Sequence, residues 1–215
     1  MSGPRRVWKD YAREAQRARP RFLEWRMKMS VLVVPGLRGS GPAHWQSLWL
    51  AKHPEYQRVL QRDWLAPRLE DWLATLDAAI DAAVGPTSAR AIVVAHGFGC
   101  VATLARLAQR RDRVAGALLV APRDPAEFGV ACEALPLPTT LVASRTDPAM
   151  AFADAKRLAR TLGSRFVDAG LAGHIDAAAG YGAWPAGEQL LARLMARAQA
   201  WERTLEDALA LAAAA

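Results

Sequence analysis

The chain has 215 residues, 52% of them hydrophobic, and a formal charge of +7. That length suits one domain able to bury a substantial core. Two cysteines, Cys100 and Cys132, are too few for a disulfide scaffold and lack zinc-ligand spacing, which fits a reducing compartment. No apolar run approaches the roughly 18 residues of a membrane span, and the N-terminus lacks the apolar stretch of a secretory signal. A cytoplasmic protein with no membrane partner is expected.

The charge is uneven. Residues 1–29 hold nine Lys/Arg against three acids, whereas the remainder holds 19 against 18. The domain proper therefore offers no basic face, and nucleic acid is not expected as its partner. Residues 1–29, with Trp8 and Trp25, form a basic extension ahead of a domain over 30–215. Three readings of it stay open: a solvated helix or tail, an upstream extension before a natural start at Met27 or Met29, or an arm that binds a protein or nucleic acid.

From Ser30 onward short apolar runs alternate with helical patterns. Val31–Val34 is an unbroken β-branched run, as in a strand buried on both faces. Pro42–Lys52 is the first predicted helix, and Tyr56–Leu60 a weaker strand. Pro67–Ala83 places Leu69, Trp72, Leu73, Leu76, Ile80 and Ala83 on one helical face and stops at Gly85. Ala91–Ala95 is a strand and Val101–Ala108 a helix. Val114–Val120 and Thr139–Ala143 are further strands. Ala149–Leu162 is an amphipathic helix ending at Gly163, Arg165–Val167 a last strand, and Glu188–Leu211 a closing helix. This alternation predicts βαβ units and a mostly parallel sheet with helices on both faces. Ligands in such sheets bind beyond the carboxyl ends of the strands.

Three motifs fall at those ends. Ala91-Ile-Val-Val-Ala-His-Gly-Phe-Gly-Cys100 runs from a strand through a small-residue turn into a helix. That is the context of the small-x-Ser-x-Gly nucleophile elbow, with Ala95 and Gly99 at the small positions. The middle position is Gly97, which tolerates an elbow's backbone and offers no nucleophile. Alone, the turn reads equally well as a phosphate cradle. The second motif, Ala143-Ser-Arg-Thr-Asp-Pro148, puts Asp147 just past a strand, as an orienting acid or as the cap of the following helix. The third, Gly170-Leu-Ala-Gly-His-Ile-Asp176, carries His174 in a glycine-rich loop. The order 97, 147, 174 is the nucleophile, acid, histidine order of α/β-hydrolases.

With Val34-Pro-Gly-Leu-Arg-Gly-Ser-Gly-Pro-Ala-His-Trp-Gln46, the Asp63-Trp64 and Trp72 positions and Gly180-Tyr-Gly-Ala-Trp-Pro185, these stretches resemble the YdeN family of small serine hydrolases. The likeness runs from about Ser30 to the closing helix. It implies an α/β-hydrolase fold, a catalytic serine where this chain has Gly97, an acid at Asp147 and a histidine at His174. It also implies a small ester, thioester or amide as substrate, with no cofactor or metal.

The backbone N–H of Phe98 and that of Leu37, in the Gly36-Leu37-Arg38 loop, are the expected oxyanion donors. His44 and Trp45 either line the pocket or pack the first helix on the sheet. His96 reads as a structural neighbour of the elbow. Ser40, Ser144 and Cys100 are the candidate substitutes for the absent serine. The functional expectations are an impaired hydrolase-fold protein binding a small molecule or a protein partner, a hydrolase using water or another nucleophile, an isolated change in an otherwise active enzyme, or a nucleic-acid-associated protein acting through the basic arm.

Overall fold

The computed structural model describes residues 29–85, 90–107, 109–110 and 112–213, so the basic extension through Lys28 lies outside the described residues. Six strands form one parallel sheet: β1 (Ser30–Val34), β2 (Gln57–Arg58), β3 (Ala91–His96), β4 (Val114–Val120), β5 (Thr139–Ala143) and β6 (Arg165–Asp168). Their spatial order is β2-β1-β3-β4-β5-β6. Five α-helices connect or follow them: α1 (Trp45–Lys52), α2 (Leu69–Val84), α3 (Phe98–Leu107), α4 (Phe152–Leu162) and α5 (Pro185–Ala213). This is the α/β-hydrolase architecture the sequence predicts.

The unbroken apolar strands follow from helices covering both faces. Alternate residues of one strand enter different cores: Leu32, Val34, Val93 and Ala95 pack with α2, α3 and α4, whereas Val31, Val33, Ile92 and Val94 pack with Trp45 and Trp49 of α1 and Leu191, Leu194 and Ala198 of α5. Side chains alternate across a strand, so two covered faces require apolar residues at every position.

The chain reverses its direction of winding between β1 and β3, which pair in register from Ser30↔Ala91 to Val34↔Ala95. Loops leaving these two strands diverge to opposite faces and open a crevice at their carboxyl ends. Two constraints shape its floor. A side chain at Gly99 would lie 2.5 Å from the Pro35 carbonyl oxygen and 2.6 Å from that of Val34. Only glycine lets α3 start this close to β1. Below it, the Gln46 amide donates to the Val34 and Val94 carbonyls at 3.2 and 3.1 Å and ties the two strand ends together.

Several boundaries differ from the sequence reading. The first helix starts at Trp45 instead of Pro42, because turns occupy Gly41–His44 and His44 provides its N-cap. The helix predicted from Ala149 starts at Phe152 with Ala151 at its N-cap, so Asp147 is not its cap. The helix predicted from Val101 begins at Phe98, directly after the elbow. The predicted strand Tyr56–Leu60 keeps only Gln57 and Arg58 in the ladder. A 3₁₀ turn at Pro125–Phe128, capped by Asp124, has no counterpart in the predicted elements.

Candidate active site

Gly97 stands between β3 and α3 with φ +54°, the left-handed backbone of a nucleophile elbow. Its N–H donates to the Val120 carbonyl at 3.1 Å and its carbonyl accepts from Cys100. A Cβ at this position would lie 3.3 Å from His174 Nε2 and meet little else, the next atom being Gly36 Cα at 3.8 Å. The imidazole thus points at the spot a serine side chain would fill.

The acid and histidine meet as expected. His174 Nδ1 donates to Asp147 Oδ1 at 2.9 Å, and the Asp147 side chain is only 4% exposed. The same oxygen accepts the Ala149 N–H at 2.9 Å, so Asp147 shapes its own loop while orienting the ring. A carboxylate oxygen only accepts, so the neutral ring carries its proton on Nδ1 and presents the Nε2 lone pair to position 97.

The loop carrying His174 is held at four consecutive residues. Ser144 Oγ accepts the Ala172 N–H at 2.9 Å and Thr146 Oγ1 accepts that of Gly173 at 3.0 Å. His96 Nε2 donates to the His174 carbonyl and the Trp45 indole donates to that of Ile175, both at 2.9 Å. Ile175 takes φ +49° under these restraints, a strained conformation that surrounding contacts must over-determine. The sequence motifs around residues 45, 96 and 144–147 therefore serve largely to fix one histidine.

A pocket of about 250 Å³ opens at this point, lined by Gly36–Gly39, His44, His96–Phe98, Arg123, Ala149, His174 and Asp176. Phe98 is the first residue of α3, so its N–H has no intrahelical acceptor. A side chain at Gly36 would approach that nitrogen to 3.4 Å, which places the Leu37 loop beside it. Both expected oxyanion residues line the pocket.

His44 lines it too, with its Nδ1 accepting the Gln46 N–H at 3.2 Å. Burial, then the nearby His174 and Arg58, push its pKa down to about 4. Burial, followed by His174 and His44, pushes that of His96 to about 3. Both rings are neutral at ordinary pH. Trp45 does not line this pocket: it is fully buried against Trp49 and Trp184, and packing is its role beside the hydrogen bond to Ile175.

None of the candidate replacement nucleophiles reaches the pocket. Cys100 is fully buried with its thiol pKa pushed up by desolvation. Ser40 is bonded to Gln46 Oε1 at 2.5 Å, and Ser144 is fully buried beneath the His174 loop. The sequence reading missed Arg123 and Asp176 as pocket residues. Arg123 follows β4 by three positions, so the strand-end rule applied to β4 would have found it. Among the described residues no group of three or more His, Cys, Asp or Glu is placed to hold a metal, and no helix is long and apolar enough to cross a membrane.

A family model described as serine hydrolase matches residues 31–193. Among solved structures, a YdeN-like hydrolase from Pectobacterium atrosepticum is 34% identical, with a TM-score of 0.73 over 84% of this chain and 96% of that one. The ydeN gene product of B. subtilis is 24% identical with a TM-score of 0.64, over 79% of this chain and 100% of that one. Est1E of Butyrivibrio proteoclasticus, solved with ferulic acid bound, shares the fold at 11% identity, with a TM-score of 0.58 over 86% and 91%. No curated protein matches the chain.

Proposed function

Since the chain belongs to the serine hydrolase family, we propose that it binds a small ester, thioester or amide in the pocket above Gly97 and is impaired in hydrolysing it. The observation that carries this is the combination of a complete acid–histidine pair with a nucleophile position that has no side chain. In the serine route the hydroxyl attacks the carbonyl, histidine takes its proton, and an acyl-enzyme forms and is later hydrolysed. Gly97 closes that route at its first step. Removing a triad nucleophile costs about 10⁶ in kcat, while binding and oxyanion contacts retain about 10³–10⁴ over water.

One observation favours a second reading, direct hydrolysis. His174 Nε2 faces the open volume at position 97, so a water there would lose its proton to Nε2 as its oxygen attacks the acyl carbon. Phe98 and Leu37 N–H would stabilise the oxyanion, and the proton would pass from Nε2 to the leaving group. No covalent intermediate forms on that path.

Turnover of p-nitrophenyl acetate by the unaltered protein beside His174→Ala tests both. Equal rates support the impaired reading, and a rate that depends on His174 without a burst supports water attack. A burst of one p-nitrophenolate per chain would overturn both, because it requires an acyl-enzyme.

A further inference from the structure

Two residues that line this same small pocket carry a buried N–H donor without an acceptor among the described residues: His44 at Nε2 and Arg123, whose side chain is otherwise 35% exposed, at Nε. The His44 proton is placed by its neighbours. Nδ1 accepts a backbone N–H, so the neutral ring must carry its hydrogen on Nε2. The residue is 6% exposed, and its ring is fixed edge-to-face against His96 at 4.8 Å. An unsatisfied buried donor costs about 1–3 kcal/mol, so two on residues lining one cavity require an explanation.

The two donors flank the reacting position. His44 caps α1 on the β1 side, and Arg123 follows β4 on the opposite side of β3 and Gly97. Arg123 is held from outside by Glu127 at 3.0 Å and by the Phe128 ring. Its backbone N–H lies 3.4 Å from the Gly97 carbonyl. Exposed Arg38 also lines the pocket, whereas the one acid in the lining, Asp176, already accepts the Ala179 N–H. The lining thus carries two guanidinium groups, one of them paired with Glu127, against one carboxylate.

We propose that the pocket selects short acyl compounds bearing a carboxylate, with Arg123 binding the carboxylate and His44 donating to a second acceptor oxygen. This rests on reading the pocket as an acyl-compound site and names its substrate class. A cavity of about 250 Å³ falls below the ~300–1,000 Å³ of typical ligand sites, so the acyl group is short.

The test is an amide NMR titration of the unaltered chain with three esters of similar shape: monoethyl succinate (an anion), ethyl levulinate (a neutral acceptor) and ethyl pentanoate (no acceptor on the acyl chain). The expected result is tightest binding of monoethyl succinate, about tenfold over levulinate, with pentanoate weakest and the shifts centred on Gly97 and Phe98. Arg123→Gln should shrink the first gap to under about threefold. His44→Asn, which retains an N-cap acceptor, should weaken both oxygenated ligands by a larger factor than it weakens pentanoate. Equal binding of all three, preference for pentanoate, or no binding at millimolar concentration overturns the proposal. Because binding is read without turnover, a burst of p-nitrophenolate from the unaltered chain would remove the proposed function and leave this result standing.

Discussion

Replacing Gly97 by serine perturbs two quantities in opposite directions. The backbone at φ +54° is left-handed, and an L side chain there costs about 1–2 kcal/mol. The added Cβ at 3.3 Å from His174 Nε2 also requires the ring to yield by a few tenths of an ångström, which the flexible end of a side chain can do. For a domain of this size the strain corresponds to a fall in Tm of about 2–8 °C. Catalysis should move the other way. A lost nucleophile accounts for about 10⁶ in kcat, and misplacement by about 1 Å costs about 10², so Gly97→Ser should raise p-nitrophenyl acetate turnover by about 10⁴. Gly97→Ala is the matched control, with the same strain and no hydroxyl. It should lose the same stability and gain no activity. A folded Gly97→Ser protein as inert as Gly97→Ala would refute the claim that only the nucleophile is missing.

Gly99→Ala should destabilise by about 2 kcal/mol or more in urea titrations, since its Cβ would clash at 2.5 Å with a backbone oxygen of Pro35 that cannot rotate away; an unchanged midpoint would contradict the close approach of α3 to β1. Trp45→Phe leaves the Ile175 carbonyl without its buried donor, so stability should fall by about 1–2 kcal/mol and, in the Gly97→Ser background, kcat should fall about tenfold through a looser His174. His44 and His96 have folded pKa values below the unfolded 6.5, at about 4 and about 3, so their contribution is intact above pH 6.5. It is lost as pH falls from 6.5 towards those values, because the unfolded chain binds the protons first, and for His44 the full loss is on the order of 3 kcal/mol. Urea midpoints measured from pH 7 to pH 4 should show this decline, and it should be shallower in His44→Asn.

Much of the fold was legible because burial on both faces leaves unbroken apolar strands: Val114–Val120 and Thr139–Ala143 have the predicted bounds. The misplaced helix starts have a local cause. Between Gly41 and His44, and between Asp147 and Ala151, turns and side-chain hydrogen bonds occupy residues whose composition suits a helix. At the site, Asp147 and His174 were legible from their positions after strands, and the structure joins them. The role of Trp45 was not, because nothing local indicates that an indole will reach a carbonyl 130 residues away. Arg123 and the fixed Nε2–H of His44 were hidden for the same reason, since a missing partner becomes visible only once every neighbour is in place.

Intact-mass measurement after fluorophosphonate treatment, run on the unaltered chain beside Gly97→Ser, tests most directly whether a hydrolase site stands complete around a vacant nucleophile position. The unaltered chain should take up no adduct, and Gly97→Ser should take up one, at position 97, at a rate that depends on His174. An adduct on the unaltered chain, or none on a folded Gly97→Ser protein, would contradict it.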